Sequence, residues 1–384
     1  MLPDSLPPAR LFSFLLTIFV FCASLVGMDK VVILRDGVST ELEGEIVVEA
    51  QDGGLMFRGT DGRIWMIQPK EIKTRLTNDS PFAGLSTKDI GQQLISRLPK
   101  SSTPYRVMQT NGYSIVYNTT PAFANWVKGV YLRLNVGFRN FWKNNGIEIN
   151  KPDVPLCVVI FRTKEEFDAY SISTLGGVQG NALAYYNMQT NQVVMYDLTN
   201  SSSIRGGTGG STSKINALLQ QPQAANMVAT IVHEAVHQIS FNSGLQTRFG
   251  PCPFWLNEGL AMFFEVPDLR SRRGWNGIGK VNQVRLVQLK KMLAADTTGF
   301  FDAVIGSDDR FRKPDEILDA YAEAWALNYY LIKRKPKQFV AYLKELSNLP
   351  PLTEVEETER VTFFEKHFGP LGQVKKECFN FVLK

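Results

Sequence analysis

The sequence predicts an α+β fold in two unequal parts: a small antiparallel β module, then a larger domain that passes from α/β to all-helical along its length. Three observations predict it. Short β-rich runs separated by Asp-Gly pairs fill residues 30–73, and buried-strand runs alternate with helical periodicity over residues 105–221. From Pro222 to the C-terminus the apolar residues recur mostly at helical spacing. A chain of 384 residues, at roughly 150 per domain, has room for about two to three domains.

The first element is a leader. Arg10 precedes LFSFLLTIFVF and then CASLVG, the order of a positive, an apolar and a small-residue region. Residues 1–27 are therefore read as a signal peptide and the mature chain as exported, whether secreted, periplasmic or held in the cell envelope. The alternative is an uncleaved anchor, because the charge-free run 11–27 has 17 residues, the lower end of the roughly 17–25 that span a bilayer. Only in that case does the reading bring the chain to a membrane. Phe21 stands where a lipid-attachment motif would place a small residue before Cys22.

Composition narrows the classes. With 44% hydrophobic and 21% charged residues the chain is globular and not disordered, collagenous or coiled-coil. The formal charge of +5 is too small for a protein whose main partner is a nucleic-acid backbone. Cys22, Cys157, Cys252 and Cys378 contain no Cys-x-x-Cys pair, which argues against a thiolate metal cluster. Without Cys22 an odd three remain, no basis for a disulfide framework.

Residues 28–76 form the expected β module of four or five strands, barrel or sheet. KVVIL, GEIVVEA, GLMFRG and RIWMI are punctuated by Asp36-Gly37, Asp52-Gly53 and Asp61-Gly62, and Asp-Gly tolerates the positive φ of tight hairpin turns. Residues 77–104 read as a linker carrying a helix around 90–98. An α/β lobe over 105–221 follows, with a strand at GYSIVYN, a helix over 121–144, a buried strand at 155–161, a helix at 164–170 and two strands around the turn of NMQTNQ. GGTGGSTSK within the Ser/Gly-rich stretch lacks the Gly directly before Lys214 that a phosphate loop requires, so no nucleotide site is expected. Residues 222–384 form the helical lobe, and no internal repeat is evident.

The chemistry concentrates in that lobe. PQAANMVATIVHEAVHQISFNSG has Pro222 at a helix start and Gly244 as a stop. His233 and His237 are four apart, so both imidazoles leave one face and can converge on one ion, with Glu234 able to reach water there. This is HExxH, and the chain has only three His in all. A catalytic zinc needs a third protein ligand and an open position. Twenty-one positions after His237, in FWLNEGLAMFFE, stands Glu258.

At these residues the sequence resembles the aminopeptidase N-type and peptidase-MA-like gluzincins, which carry HExxH, WLNEGxA and a further Glu seven residues on. From about residue 105 to the C-terminus it is similar to an uncharacterised bacterial family of exported peptidase-MA-like proteins. The resemblance implies a zincin-like catalytic domain over 105–384, zinc held by His233, His237 and Glu258, and Glu234 as general base. It further implies that Tyr321, in DAYAEAWALNYYLI, donates to the developing oxyanion, with Tyr329 and Tyr330 as rivals. Asn181-Ala182, ahead of NQVVMYD, resembles the start of the thermolysin-type edge strand that binds extended peptide. Two features depart from the pattern: GNALAYYN supplies no Glu for a substrate amino terminus, and Met262 stands four residues after Glu258, where thermolysin-type enzymes place an Asp that orients a histidine.

The expectation is a zinc-dependent peptidase acting on peptide or protein, an endopeptidase given the missing amino-terminus anchor. The alternative is a catalytically idle zinc-site protein acting as an exported binding or structural module; hydrolysis of a non-peptide amide would use the same residues. An acid-free run over 270–291, with Arg270, Arg272, Arg273, Lys280, Arg285, Lys290 and Lys291, is either a solvated face or a place for an anionic substrate. Oligomeric state is left open.

Overall fold

The structure, a computed structural model, describes residues 27–177, 180, 182–200, 211–271, 274–295 and 300–384. Residues 1–26 of the leader, Asn181, residues 201–210, Arg272 and Arg273 lie outside the described residues. Among the described residues no helix is long and apolar enough to cross a membrane.

The first sheet contains β1 (Gly27–Arg35), β2 (Val38–Glu49), β3 (Leu55–Gly59), β4 (Ile64–Ile67) and β5 (Ile72–Pro81). All pairings are antiparallel, in the order β4-β3-β2-β1-β5. Asp36 and Gly37 both take positive φ, 52° and 79°, so this turn has the backbone its dipeptide predicts. Val31, Ile33, Leu42, Leu55, Phe57 and Ile67 form a small core of their own. The sequence-based boundary at residue 76 falls short, because β5 continues to Pro81 and pairs Thr77 with Asp29 and Asn78 with Met28. TNDSP carries no apolar alternation because this edge strand is exposed along nearly its whole length.

α1 (Thr87–Arg97), capped at its N-terminus by Ser86, falls in the stretch read as a linker, yet its Ile90 and Leu94 pack into the same core as the elements that follow. β6 (Arg106–Thr110), β7 (Tyr113–Tyr117), α2 (Pro121–Asn144), β8 (Leu156–Phe161), α3 (Lys164–Leu175), β9 (Ala184–Asn187) and β10 (Gln192–Tyr196) complete the α/β lobe. The sheet order is β6-β7-β8-β10-β9; β7, β8 and β10 are parallel, and β6 and β9 close the edges antiparallel. Every residue of the three parallel strands is buried, as expected where elements cover both faces of a sheet. β6, whose RVMQT has no apolar alternation and no fully buried residue, is joined to β7 through Asn111-Gly112.

Nine helices follow among the described residues: α4 (Thr212–Leu219), α5 (Ala225–Phe241), α6 (Phe254–Phe264), α7 (Gln283–Ala294), α8 (Phe300–Gly306), α9 (Ile317–Arg334), α10 (Pro336–Ser347), α11 (Glu357–Phe368) and α12 (Leu371–Val382). One hydrophobic core runs from α1 to α12. The molecule is thus a mixed α+β protein, a β-rich region followed by a helical one. Cys157, Cys252 and Cys378 are free thiols, and burial pushes Cys157 and Cys252 up to about 12.

The β module is fixed to the larger domain by specific polar contacts. Arg58 pairs with Asp153 at 2.6 Å and Arg97 with Asp61 at 2.5 Å. The Ile64 amide donates to the Gln189 carbonyl at 2.7 Å, and the buried Arg248 donates to the carbonyls of Gly62 and Met188 at 2.8 and 3.2 Å. Met188 and Gln189 lie in the β9–β10 turn, so the module braces the hairpin that carries the free sheet edge.

Candidate metal centre

α5 lies against β9 and β10 with its apolar face buried. Gln238 locks its height by donating from one amide nitrogen to the carbonyls of Cys157 and Asn191, at 2.8 and 2.9 Å. The helix therefore presents His233 and His237 at a fixed level above the sheet. Their rings meet edge-on, with centroids 4.6 Å apart.

α6 supplies the carboxylate. Its N-terminus has no local side-chain cap; instead Asp308 accepts from the Phe254 amide at 3.0 Å. Packing between α6 and α9 is very close at Gly259, where a Cβ would fall 1.9 Å from the Asn328 side-chain nitrogen and 2.4 Å from the Ala324 carbonyl oxygen. The Gly of NEG thus lets α6 sit at the depth that brings Glu258 to α5.

Glu258 Oε2 lies 2.9 Å from His233 Nε2, and Oε1 lies 3.5 Å from His237 Nε2. Among the described residues, His233, His237 and Glu258 form the one group of three metal-type ligands whose donor atoms all lie within 4.8 Å of one another. Both outer ring nitrogens have partners: His233 Nδ1 donates to Glu265 Oε2 at 2.6 Å, and His237 Nδ1 to Asn257 Oδ1 at 3.1 Å. An N–H at each Nδ1 leaves the Nε2 lone pairs available to a metal ion held against the carboxylate. Two imidazoles and a carboxylate, buried, with outer partners that fix the tautomers, are a donor set that fits zinc.

Glu265 is the group that orients His233. Seven residues after Glu258, as the residue that caps the C-terminus of α6 with helical backbone, it returns to the same side two turns on, whereas Met262 is fully buried and carries no carboxylate. Asn282 donates to the other oxygen of Glu265 at 2.6 Å. The expected absence of an orienting acid four residues after the ligand is real, and its work is done three residues later.

The electrostatics follow. Burial disfavours charge on His233, but the hydrogen bonds to Glu258 and Glu265 outweigh it and raise its pKa well above the ordinary value. Burial likewise opposes ionisation of Glu258 and Glu265, yet the neighbouring histidines hold both below the usual carboxylate range. Glu234 goes the other way: burial pushes it up against the pull of His233 and His237.

The site opens into a cleft of about 510 Å³ bounded by α5, the start of α7 and α9, with His233, Glu234, Glu265, Arg285 and Tyr321 in its wall. Glu234 Oε2 accepts from the Tyr186 amide of β9 at 2.7 Å. Tyr321 is largely buried beneath Phe311 and Arg285, and burial, then the charges of Glu258 and Glu234, push its phenol far up. Tyr329 stacks on Trp325 and Phe381, and Tyr330 bonds Glu377, so the two rival tyrosines serve other contacts.

The structure thus brings together His233, Glu234, His237, Glu258 and Tyr321. Asn181 lies outside the described residues, and Ala182 sits two residues before β9; the residue of that edge that meets the site is Tyr186. Glu265, Asn257, Asn282 and the Tyr186 amide were not assigned from sequence. Only Glu265 left a signal there, as the Glu seven residues after Glu258.

Residues 227–353 match a family described as a protein of unknown function (DUF1570). No curated protein matches the sequence. Among solved structures, a variant of an M1 zinc metallopeptidase from Deinococcus radiodurans is similar at a TM-score of 0.32 and 14% identity, over 72% of this chain and 50% of that one. The chain spans about half the length of that neighbour, and at this level of likeness the reading of the site rests on its own geometry.

Proposed function

We propose that this chain is an exported zinc-dependent peptidase of the gluzincin kind, with a zincin-like domain from about residue 105 onward. The observation that carries the reading is the convergence of His233 Nε2, His237 Nε2 and the Glu258 carboxylate, each histidine held by an acceptor at its outer nitrogen. A zinc ion held by these three would supply Lewis acidity, polarising a carbonyl and acidifying water.

The chain's own residues would do the rest. Glu234, raised in pKa by burial and anchored by the Tyr186 amide, takes a proton from the attacking water and returns it to the leaving amine. Tyr321, in the same wall, keeps its proton at neutral pH and donates to the carbonyl oxygen as negative charge develops. β9 offers a free sheet edge beside Glu234, suited to an extended peptide. The two acids of the described cleft wall are already engaged, Glu234 with Tyr186 and Glu265 with His233 and Asn282. Neither is left to hold a substrate amino terminus, which favours cleavage within a chain. The leader-like residues 1–27 support export.

The test is Glu234→Gln. It should keep zinc and lose chelator-sensitive cleavage of casein; cleavage that persists in this variant, or in the presence of chelator, would contradict the reading.

A further inference from the structure

Among the described basic residues of the run over 270–291, one lies in the cleft wall. Arg270, Lys280, Lys290 and Lys291 are exposed, as a solvated face requires. Arg285 instead lies in the cleft wall with its guanidinium 5.0 Å over the Tyr321 ring, and it is the only Lys or Arg among the described wall residues. Its Nε is buried without a hydrogen-bond partner.

The acid beside it does not use it up. Glu265 Oε1 is taken by Asn282 and Oε2 by His233, at 2.6 Å each. Asn282 also accepts the Arg285 backbone amide at 3.3 Å, which fixes where the side chain leaves α7. The Tyr321 ring beneath holds the guanidinium plane as a cation–π partner. What remains for a ligand is the pair of terminal guanidinium nitrogens, in the same cleft wall as Glu234 and Tyr321. Such a fork matches a carboxylate bidentately.

We infer that Arg285 is a specificity-determining residue that binds a carboxylate carried by the substrate within about one residue of the scissile bond. The inference rests on the peptidase reading of the same cleft. An acidic side chain and a chain-terminal carboxylate present the same group to Arg285. The neighbouring Val281 and Val284, exposed on the same wall, would accept the apolar atoms around it.

Three hydroxamate-capped dipeptides of equal length test this by calorimetric binding to the zinc-loaded protein. One carries an Asp side chain and an amidated end, the second an Asn side chain and a free terminal carboxylate, and the third is neutral at both places. The carboxylate-bearing compound that fits should bind about 10- to 100-fold more tightly than the neutral one, and which of the two it is identifies the source of the carboxylate. In Arg285→Gln that ratio should fall to about one, while Arg285→Lys, which keeps the charge and loses the fork, should retain part of it. Equal binding of all three by the native protein would overturn the inference and leave the peptidase reading standing. A parallel loss of affinity in Arg285→Gln with the ratio intact would also overturn it, assigning Arg285 to charge balance for Glu265. Failure of every hydroxamate to bind zinc-loaded protein would defeat the peptidase reading and this inference together.

Discussion

Glu265 Oε2 accepts from His233 Nδ1 at an N···O distance of 2.6 Å while its other oxygen takes the Asn282 amide at 2.6 Å, all of it buried. Replacing it by Gln removes the charge and leaves one oxygen where two donors need acceptors. Either His233 or Asn282 then faces an NH₂ group. A hydrogen bond to a charged partner contributes about 1.5–3 kcal/mol, and outer partners of metal-bound histidines are typically worth 10- to 100-fold in metal affinity, or roughly 1.4–2.8 kcal/mol. The two estimates agree, so Glu265→Gln should weaken zinc binding by about 10- to 100-fold without unfolding the chain. Competition against a chromophoric chelator reads the affinity, and far-UV circular dichroism checks the fold. Zinc affinity equal to that of the native protein would refute the argument that Glu265 sets the orientation and basicity of His233.

Tyr321→Phe removes the hydroxyl beside Glu258 and Glu234 but keeps the ring under Arg285; turnover should fall by about 10²- to 10³-fold with zinc content unchanged, and single-turnover cleavage of a dye-labelled peptide measures it. Arg248→Met strands the carbonyls of Gly62 and Met188, which should cost about 2–4 kcal/mol in urea unfolding and loosen the β9–β10 turn, seen as faster amide exchange there. Glu323, fully buried against Arg310, is pushed up to about 8 by burial despite that pairing. Its folded pKa exceeds its unfolded one, so its stability contribution is complete below about 4.5 and is lost as pH rises through about 8. Glu323→Gln should therefore flatten the fall in urea midpoint across that window; an unchanged slope would show that Arg310 keeps Glu323 ionised.

The parts of the site legible in the sequence are those whose spacing is set by one helix. His233, Glu234 and His237 fall on one segment of α5, and the distance to Glu258 spans one connection and the start of α6. The outer partners were not legible because each contact joins residues far apart in the chain: Asn257 lies 20 positions from His237, Glu265 lies 32 from His233, and Tyr186 lies 48 from Glu234. The Tyr186 donor is a backbone amide, which leaves no mark in a side-chain pattern. Glu265 is marked in the sequence only as the Glu seven residues after the ligand; its contact with His233 follows because a residue two turns on returns to nearly the same face, while Met262 fills the position one turn on. In the fold, buried strands such as β8 stood out by composition, while β5 did not, since an exposed edge needs no apolar alternation. The docking of the β module on the β9–β10 turn had no sequence signal, because its key contacts are carbonyls accepting from Ile64 and Arg248.

The peptidase reading requires that His233, His237 and Glu258 hold one zinc ion. Elemental analysis of the purified chain after gel filtration into metal-free buffer, beside Glu258→Ala, tests it directly. About one zinc per native chain, held through filtration, and a substantial loss of retained zinc in Glu258→Ala are expected. A folded native chain that carries no zinc and takes none up on reconstitution would contradict it.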